Sequence, residues 1–388
     1  MPCRRGLITI GSLLTAIAPA LADFQPTSLC MVTNRTPPEF IAAGDLNGDG
    51  VPDLAVTFAA TNQVQVFYRK QGTFAGVPDR LFPINRPGGV LILDADKDGT
   101  NDLAAVGIQH VYLFLGRERL AVEHKSFADT DQYERELIAG HLSANGLIDF
   151  LVGPTWKQWR GGDEFLKGYF YGGGRRMFMA DLNHNGLTDV AMAPGEKGVW
   201  LCYAPFMAKK VRPLDLAEFA ALSAPYPLNR VAVADMNGDQ RPDILAQNEA
   251  QKELFVYYQN SPTGFHDQAP PSTNLNVKVP FLFKTADLNR DGLDDLIVVD
   301  LQHKKSSRLY VWIQNKATPL PQPLDQATQT LDLPDCVRVI CVADMNGDGF
   351  PDLLTGASAP EGYGVLKVYL NSGQWSQGSK PGASTSLP

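Results

Sequence analysis

The chain has 388 residues, with 34 Lys and Arg against 42 Asp and Glu, a formal charge of -8 and five cysteines. An acidic balance with no stripe of Lys or Arg excludes the electrostatic footprint of a nucleic-acid binder. After residue 22 no stretch stays apolar over the ~20 residues that a spanning helix needs, which excludes a helical membrane span.

Residues 1–22 read as a secretory leader. Arg4 and Arg5 form the charged start, Leu7 to Ala18 the apolar stretch, and Ala20-Leu21-Ala22 a small-x-small cleavage site. Cleavage near Ala22 is expected to give a secreted, periplasmic or cell-surface protein beginning at Asp23. Residues 27–33, Thr-Ser-Leu-Cys-Met-Val-Thr, read as a strand.

From residue 45 a nine-residue pattern returns seven times: Asp-x-Asn/Asp-x-Asp/Asn-Gly-x-x-Asp, then a short apolar run. The copies begin at Asp45, Asp94, His141, Asp181, Asp235, Asp287 and Asp344, at intervals of 49, 47, 40, 54, 52 and 57 residues. A unit of about 50 residues cannot bury its own apolar face and must stack on neighbours, as propeller blades do. Calcium needs about six to eight oxygen ligands. Side chains at positions 1, 3, 5 and 9 with the carbonyl of position 7 supply most of them, and glycine at position 6 allows the turn.

Loop by loop, the expected ligands are as follows. The first copy offers Asp45, Asn47, Asp49 and Asp53 with the carbonyl of Val51. The second offers Asp94, Asp96, Asp98 and Asp102 with Thr100. The third, with His141, Ser143, Asn145 and Asp149, has lost too many charges and is expected to hold no ion. The fourth offers Asp181, Asn183, Asn185 and Asp189 with Leu187, and its two carboxylates predict weak binding. The fifth offers Asp235, Asn237, Asp239 and Asp243 with Arg241, but has Gln240 where glycine belongs. The sixth offers Asp287, Asn289, Asp291 and Asp295 with Leu293, and the seventh Asp344, Asn346, Asp348 and Asp352 with Phe350.

An oxygen-only ligand set selects Ca2+ over a transition metal. The expectation is five full sites, a sixth weaker one and an empty third loop. Hydrogen-bonded Asp/Asn turns without an ion are the alternative. Three carboxylates brought within a few ångströms repel strongly without a cation, which favours the metal except in the third copy. An EF-hand is excluded, because position 12 is Val56, Ala105, Val152, Met192, Ala246, Val298 and Thr355 in turn, none of them an acidic ligand. The flanks read as short buried strands, as in Val231-Ala232-Val233-Ala234 before the fifth loop and Ile244-Leu245-Ala246 after it.

These residues resemble the FG-GAP or VCBS repeat proteins, whose best-known members are the propeller heads of integrin α subunits. The resemblance rests on Asp149-Phe150-Leu151-Val152-Gly153-Pro154, on Asp352-Leu353-Leu354-Thr355-Gly356, and on Glu253-Leu254-Phe255-Val256-Tyr257-Tyr258 followed by Thr263-Gly264-Phe265. It implies an all-β, seven-bladed β-propeller with calcium loops between the first and second strands of the blades, and it brings no family-wide catalytic residues. On this reading residues 23–371 form the propeller and 372–388 a disordered Gly/Ser/Pro-rich tail. The last blade lacks an outer strand, and residues 27–33 are the expected donor that closes the ring. Residues 215–224 read as a short helical insertion. Cys336 and Cys341, five apart on one extended strand, cannot bridge each other.

The functional expectation is a secreted, calcium-stabilised module that recognises carbohydrate or an extracellular protein partner, with no catalytic residues. Trp156, Trp159 and Trp200 would stack on a sugar if they were exposed, and would pack blade to blade otherwise. A calcium-dependent polysaccharide lyase or hydrolase is the alternative from another class, although the six histidines fall at no metal-ligand spacing. A structural part of a surface or envelope assembly is the third.

Overall fold

In the computed structural model the ninth residue of all seven patterns is the first residue of a strand. These strands are Asp53–Phe58, Asp102–Gly107, Asp149–Val152, Asp189–Ala193, Asp243–Asn248, Asp295–Gln302 and Asp352–Ser358. The structure describes residues 24–33, 36–108, 110–120, 123–127, 136–153, 155–161, 164–169, 176–195, 197–204, 220–248, 250–275, 282–302, 306–314, 327–359 and 362–375. Each strand just named pairs antiparallel with an inner strand that ends where the loop begins. The inner strands are Phe40–Gly44, Val90–Leu93, Ile138–Gly140, Arg176–Ala180, Arg230–Ala234, Leu282–Ala286 and Cys336–Ala343. A third strand follows: Gln63–Phe67, His110–Phe114, Thr155–Gly161, Lys197–Cys202, Glu253–Tyr257, Ser306–Trp312 or Gly364–Asn371. An outer strand completes each of seven four-stranded sheets.

The second strands read as unbroken apolar runs because both of their faces are covered. In the first blade Leu54, Val56 and Phe58 pack toward the last blade, whereas Ala55 packs with Val64 and Val66 toward the second. Successive side chains of a strand point to opposite faces, so one strand serves two neighbours. The same division recurs around the molecule, and each of the seven apolar cores is shared by two adjacent blades. The core between the last and first blades joins Ile41 and Phe58 to Leu354 and Val368, so the ring is closed. Each Val, Leu or Phe buried in this way contributes ~1.5–3 kcal/mol. The residue before the loop is small where inner strands approach: a Cβ on Gly44 would lie 2.7 Å from Ile92 Cγ2, and one on Gly140 would lie 2.7 Å from Thr188 Cγ2.

The last sheet takes its outer strand from the other end of the chain. Phe24–Thr33 runs antiparallel to Gly364–Asn371, with a register shift between Pro26 and Cys30. Phe24 is fully buried in the core between the sixth and seventh blades, and its N–H donates to Gln329 Oε1 at 3.3 Å. The strand is therefore longer than residues 27–33, beginning at an aromatic anchor. The tail also departs from expectation at its start. Trp375 meets Phe24 edge-on, with ring centroids 5.4 Å apart, and its indole N–H donates to Leu288 O. Residues 372–375 are thus held against the ring, while residues 376–388 and the leader lie outside the described residues.

One further reading is corrected, and of the two readings of the tryptophans the blade-to-blade one holds for Trp156 and Trp159. Residues 220–224 belong to the strand Ala220–Pro227 rather than to a helix, because pairing with Lys197–Cys202 overrides the helix propensity of an Ala-rich segment; residues 215–219 lie outside the described residues. Trp156 and Trp159 are buried in blade-to-blade cores, and Trp200 packs against one, so the first two offer no exposed ring to a sugar. Cys202, Cys336 and Cys341 are free thiols.

Removal of residues 24–33 should leave Gly364–Asn371 as an open edge and take Phe24 from its core. The expected result is an aggregated or early-melting chain in size-exclusion and thermal measurements. A monodisperse deletion with the parental melting temperature would show that the ring does not need this strand.

Candidate metal centres

The loops are built by their own side chains. In six of them the position-1 aspartate accepts backbone N–H groups from further along the loop. Asp45 takes those of Asn47, Gly48, Asp49 and Gly50, and Asp287 those of Asp291 and Gly292. Asp94, Asp181, Asp235 and Asp344 do the same. The oxygen of position 3 (Asn47, Asp96, Asn183, Asn237, Asn289, Asn346) accepts the N–H of position 5. Position 5 (Asp49, Asp98, Asn185, Asp239, Asp291, Asp348) in turn accepts the N–H of position 7, at Val51, Thr100, Leu187, Arg241, Leu293 and Phe350. Six copies with different charges therefore share one internal scaffold, which fixes their side-chain oxygens before any ion is considered.

This winding needs left-handed backbone at two places. Position 6 is glycine except at Gln240, which adopts φ 64°. Position 4 is also left-handed, with Lys97 at 62°, His184 at 55° and Arg290 at 61° in place of glycine. Each such residue costs roughly 1–2 kcal/mol relative to an ordinary conformation. Sequence reasoning foresaw the strain at Gln240 and missed position 4, where Gly48, Gly238 and Gly347 were the available signal.

The donor set fits a hard cation best in the second loop. One carboxylate oxygen each from Asp94, Asp96 and Asp102 lies within 4.8 Å of the others. Asp96 is nearly enclosed, and Arg117 Nη1 stands 2.7 Å from its Oδ2 as an ion pair without hydrogen-bond geometry. In the fifth, sixth and seventh loops the position-3 amide instead donates to the position-5 carboxylate. Arg241 pairs with Asp239 of its own loop at 3.0 Å.

Position 9 has a structural role of its own. All seven of these aspartates are fully buried. In six, one oxygen accepts the N–H of position 2 and the other the N–H of a residue beyond or at the end of the third strand, at 2.6–2.9 Å. For Asp53 the donors are Leu46 and Arg69; for Asp243 they are Met236 and Gln259. Burial pushes the carboxyls of Asp53, Asp102, Asp189 and Asp352 up to about 6, Asp243 to about 7 and Asp295 to about 8, against the pull of these N–H groups. Sequence reading took position 9 for a ligand only. The signal was its survival as Asp149 in the copy that lost the other charges.

Neighbouring loops are tied together as well. Asn101 Nδ2 donates to Asp45 O, Thr188 Oγ1 accepts the His141 N–H, and Asp294 Oδ2 accepts the Asp235 N–H, each from position 8 of one loop to position 1 of the loop before. Asp294, beside Asp295, is thereby occupied as a link between blades.

Asp243→Ala would leave the N–H groups of Met236 and Gln259 buried without an acceptor, at ~1–3 kcal/mol each. Denaturant unfolding should show a deficit of roughly 2–5 kcal/mol that persists in excess chelator. A deficit that disappears on calcium removal would make this residue a ligand and nothing more.

The model of the FG-GAP-like repeat matches residues 45–105, 235–298 and 287–355, each match running from one loop into the second strand of the next blade. No curated protein matches the sequence. Among solved structures, BBS1N in complex with ARL6DN, soaked with lead, is similar at TM-score 0.60 and 11% identity, covering 90% of this chain and 97% of that one. The same complex soaked with mercury gives TM-score 0.60 and 10% identity over 91% and 99%. The V. cholerae biofilm matrix protein Bap1 is similar at TM-score 0.43 and 11% identity over 92% of this chain and 62% of that one. At such identities the likeness to BBS1N is one of fold. With seven sheets closed into a ring and the repeat pattern at their loops, the chain is an FG-GAP-like repeat protein that folds as a seven-bladed β-propeller.

Proposed function

We propose that the protein is an exported binding propeller whose loops hold Ca2+ at six of seven positions and whose remaining surface takes a protein or carbohydrate partner. The observation that carries the metal assignment is the convergence of Asp94, Asp96 and Asp102, with ligand atoms within 4.8 Å of one another. Two like charges at that separation repel by about 3 kcal/mol at an intermediate effective dielectric. The other five loops share the hydrogen-bond scaffold of the second, and the set is oxygen-only, which suits a hard divalent ion. When bound, the ion supplies positive charge where an inner strand turns into a second strand. Its contribution is to stability, since an ion that binds only the folded state adds about 2.7 kcal/mol at a hundred times its Kd.

For the partner, burial of Trp156 and Trp159 removes two of the proposed sugar platforms. Tyr226 and Tyr363 are the exposed large aromatics among the described residues, and they lie on different blades. A protein partner therefore has the better support of the two. Tyr257, whose hydroxyl burial pushes up, donates to Ser223 O within the fold and serves as a core group rather than an acid or base. Among the described residues no helix is long and apolar enough to cross a membrane.

Elemental analysis of the ion-equilibrated protein should find calcium at several ions per chain, and excess chelator should lower the melting temperature substantially. Essentially no calcium, or an unchanged melt, would end the metal assignment. Crosslinking to extracellular proteins and a glycan screen, each with and without chelator, test the binding role, which fails if neither yields a saturable partner. Amino-terminal sequencing of exported protein should begin near Asp23; retention of residues 1–22 would refute the leader.

A further inference from the structure

In the third loop positions 3, 5, 7 and 9 each already receive a hydrogen-bond donor from the protein. Gln158, on the third strand of the same blade, lies directly across from Asp149 and is almost fully buried. Its Nε2 donates to Asp149 Oδ1 at 2.7 Å and to Ser143 Oγ at 2.8 Å, and reaches Asn145 Oδ1 at 3.3 Å. Those acceptors are positions 9, 3 and 5 of the pattern. The amide oxygen of Gln158 is satisfied in return by Asn145 Nδ2 at 2.9 Å. Position 1 is His141, whose Nδ1 lies 3.0 Å from the Leu147 carbonyl oxygen, the main-chain group of position 7. A carbonyl cannot donate, so the imidazole carries the proton at Nδ1.

We propose that the third loop is held shut by an internal substitute for the cation: the Gln158 carboxamide and the His141 imidazole take the oxygens that the other six loops present to an ion. Charge matches the exchange. Asp149 is the only carboxylate at a liganding position of this loop, and an amide bearing partial positive charge suits it where a divalent ion would leave excess charge. Position in the sheet supports the same assignment. In the other blades the residue facing the ninth position, by the same register, is Tyr68, Leu115, Tyr203, Tyr258, Ile313 or Leu370. A carboxamide occupies that place only in the third blade; the others carry tyrosine or an aliphatic side chain. Asp149 also differs in its second anchor: the indole N–H of Trp156 reaches its Oδ1 at 2.9 Å, in place of the main-chain N–H that serves the other six. Blade 3 is consequently the joint of the ring whose order does not depend on ion supply.

The contrast with the other loops rests on the calcium reading, whereas the lock itself does not. Hydrogen exchange of the full chain, read by mass spectrometry in calcium and in excess chelator, separates them. Peptides over residues 141–149 should keep the same protection in both, while those over residues 45–53, 94–102 and 287–295 exchange faster once calcium is removed. Gln158→Leu, the residue type of Leu115 and Leu370, should make residues 141–149 exchange roughly tenfold faster in both buffers, as a buried network does when its central donor is lost, and should leave the calcium content per chain unchanged. Deprotection of residues 141–149 by chelator in the parent protein, or loss of one calcium per chain in Gln158→Leu, would overturn the lock. If Gln158→Leu is insoluble, the parent comparison decides alone. If the protein holds no calcium at all, the function proposed above fails, and the lock then stands or falls on whether Gln158→Leu accelerates exchange in that loop.

Discussion

A buried aspartate at the entry of every second strand is the constraint on which the rest of the structure depends. The turn from inner to second strand leaves main-chain N–H groups at its start and at the far end of the third strand with no partner in the sheet ladder. Asp53, Asp102, Asp189, Asp243, Asp295 and Asp352 each accept one of both kinds. One side chain thereby fixes the register of three strands. The arrangement has an electrostatic cost, because the carboxylate is buried near the acidic positions 1 and 5 of its own loop, and Asp295 is pushed up to about 8. A divalent ion bound as proposed for these six loops would lower that cost. In the third, Gln158 and Trp156 donate to the buried carboxylate instead.

Cooperativity around the ring follows from contacts that skip no blade between the third and the seventh. The side-chain amide of the residue that closes the aspartate bridge reaches back into the preceding blade. Gln259 donates to Leu182 O, Gln314 to Asp235 O and Asn371 to Leu288 O. Thr188 and Asn101 make their links from within the loop. A residue whose N–H holds its own blade and whose side chain holds the neighbouring loop couples the order of one joint to that of the next. Stability in such an array is a sum of unit terms and nearest-neighbour terms. These amides add hydrogen bonds to the interface term, beside the apolar cores.

The architecture was legible in the sequence because the pattern recurs: seven copies near a fifty-residue period, small residues before the loop, and apolar runs after it required stacked sheets. The loops that carry the acidic pattern were legible for the same reason. What escaped was whatever depends on partners far away in the chain. The double bridge at position 9 needs an N–H 14 to 19 residues downstream, and its acceptor looks like any other loop aspartate. Residues 220–224 have the composition of a helix, and only their pairing with the strand Lys197–Cys202 makes them extended. Trp156 was readable as an inter-blade aromatic, but its indole N–H on Asp149 was not. Gln158 was the most informative residue left unread, an amide in a column of tyrosines and aliphatic residues, visible only after the third strands are aligned by register.

Closure of the ring and the last two loops form one structural unit. Asn371 ends the third strand of the last blade, caps Asp352 with its N–H and donates from its side chain to Leu288 O and Pro351 O. Two residues on, Gly373 sits where a Cβ would lie 2.4 Å from the Phe350 ring, and Arg290 of the sixth loop places its guanidinium 5.5 Å from the centroid of that same ring. Trp375 then spans from Leu288 O to the ring of Phe24, the first residue of the closing strand. Phe24 and Trp375, the first and last described residues, therefore meet beside the sixth and seventh blades. Loosening either loop weakens the seat of Trp375, and losing Phe24 removes what Trp375 covers, so the order of these loops and the closing of the circle are one equilibrium seen from two sides.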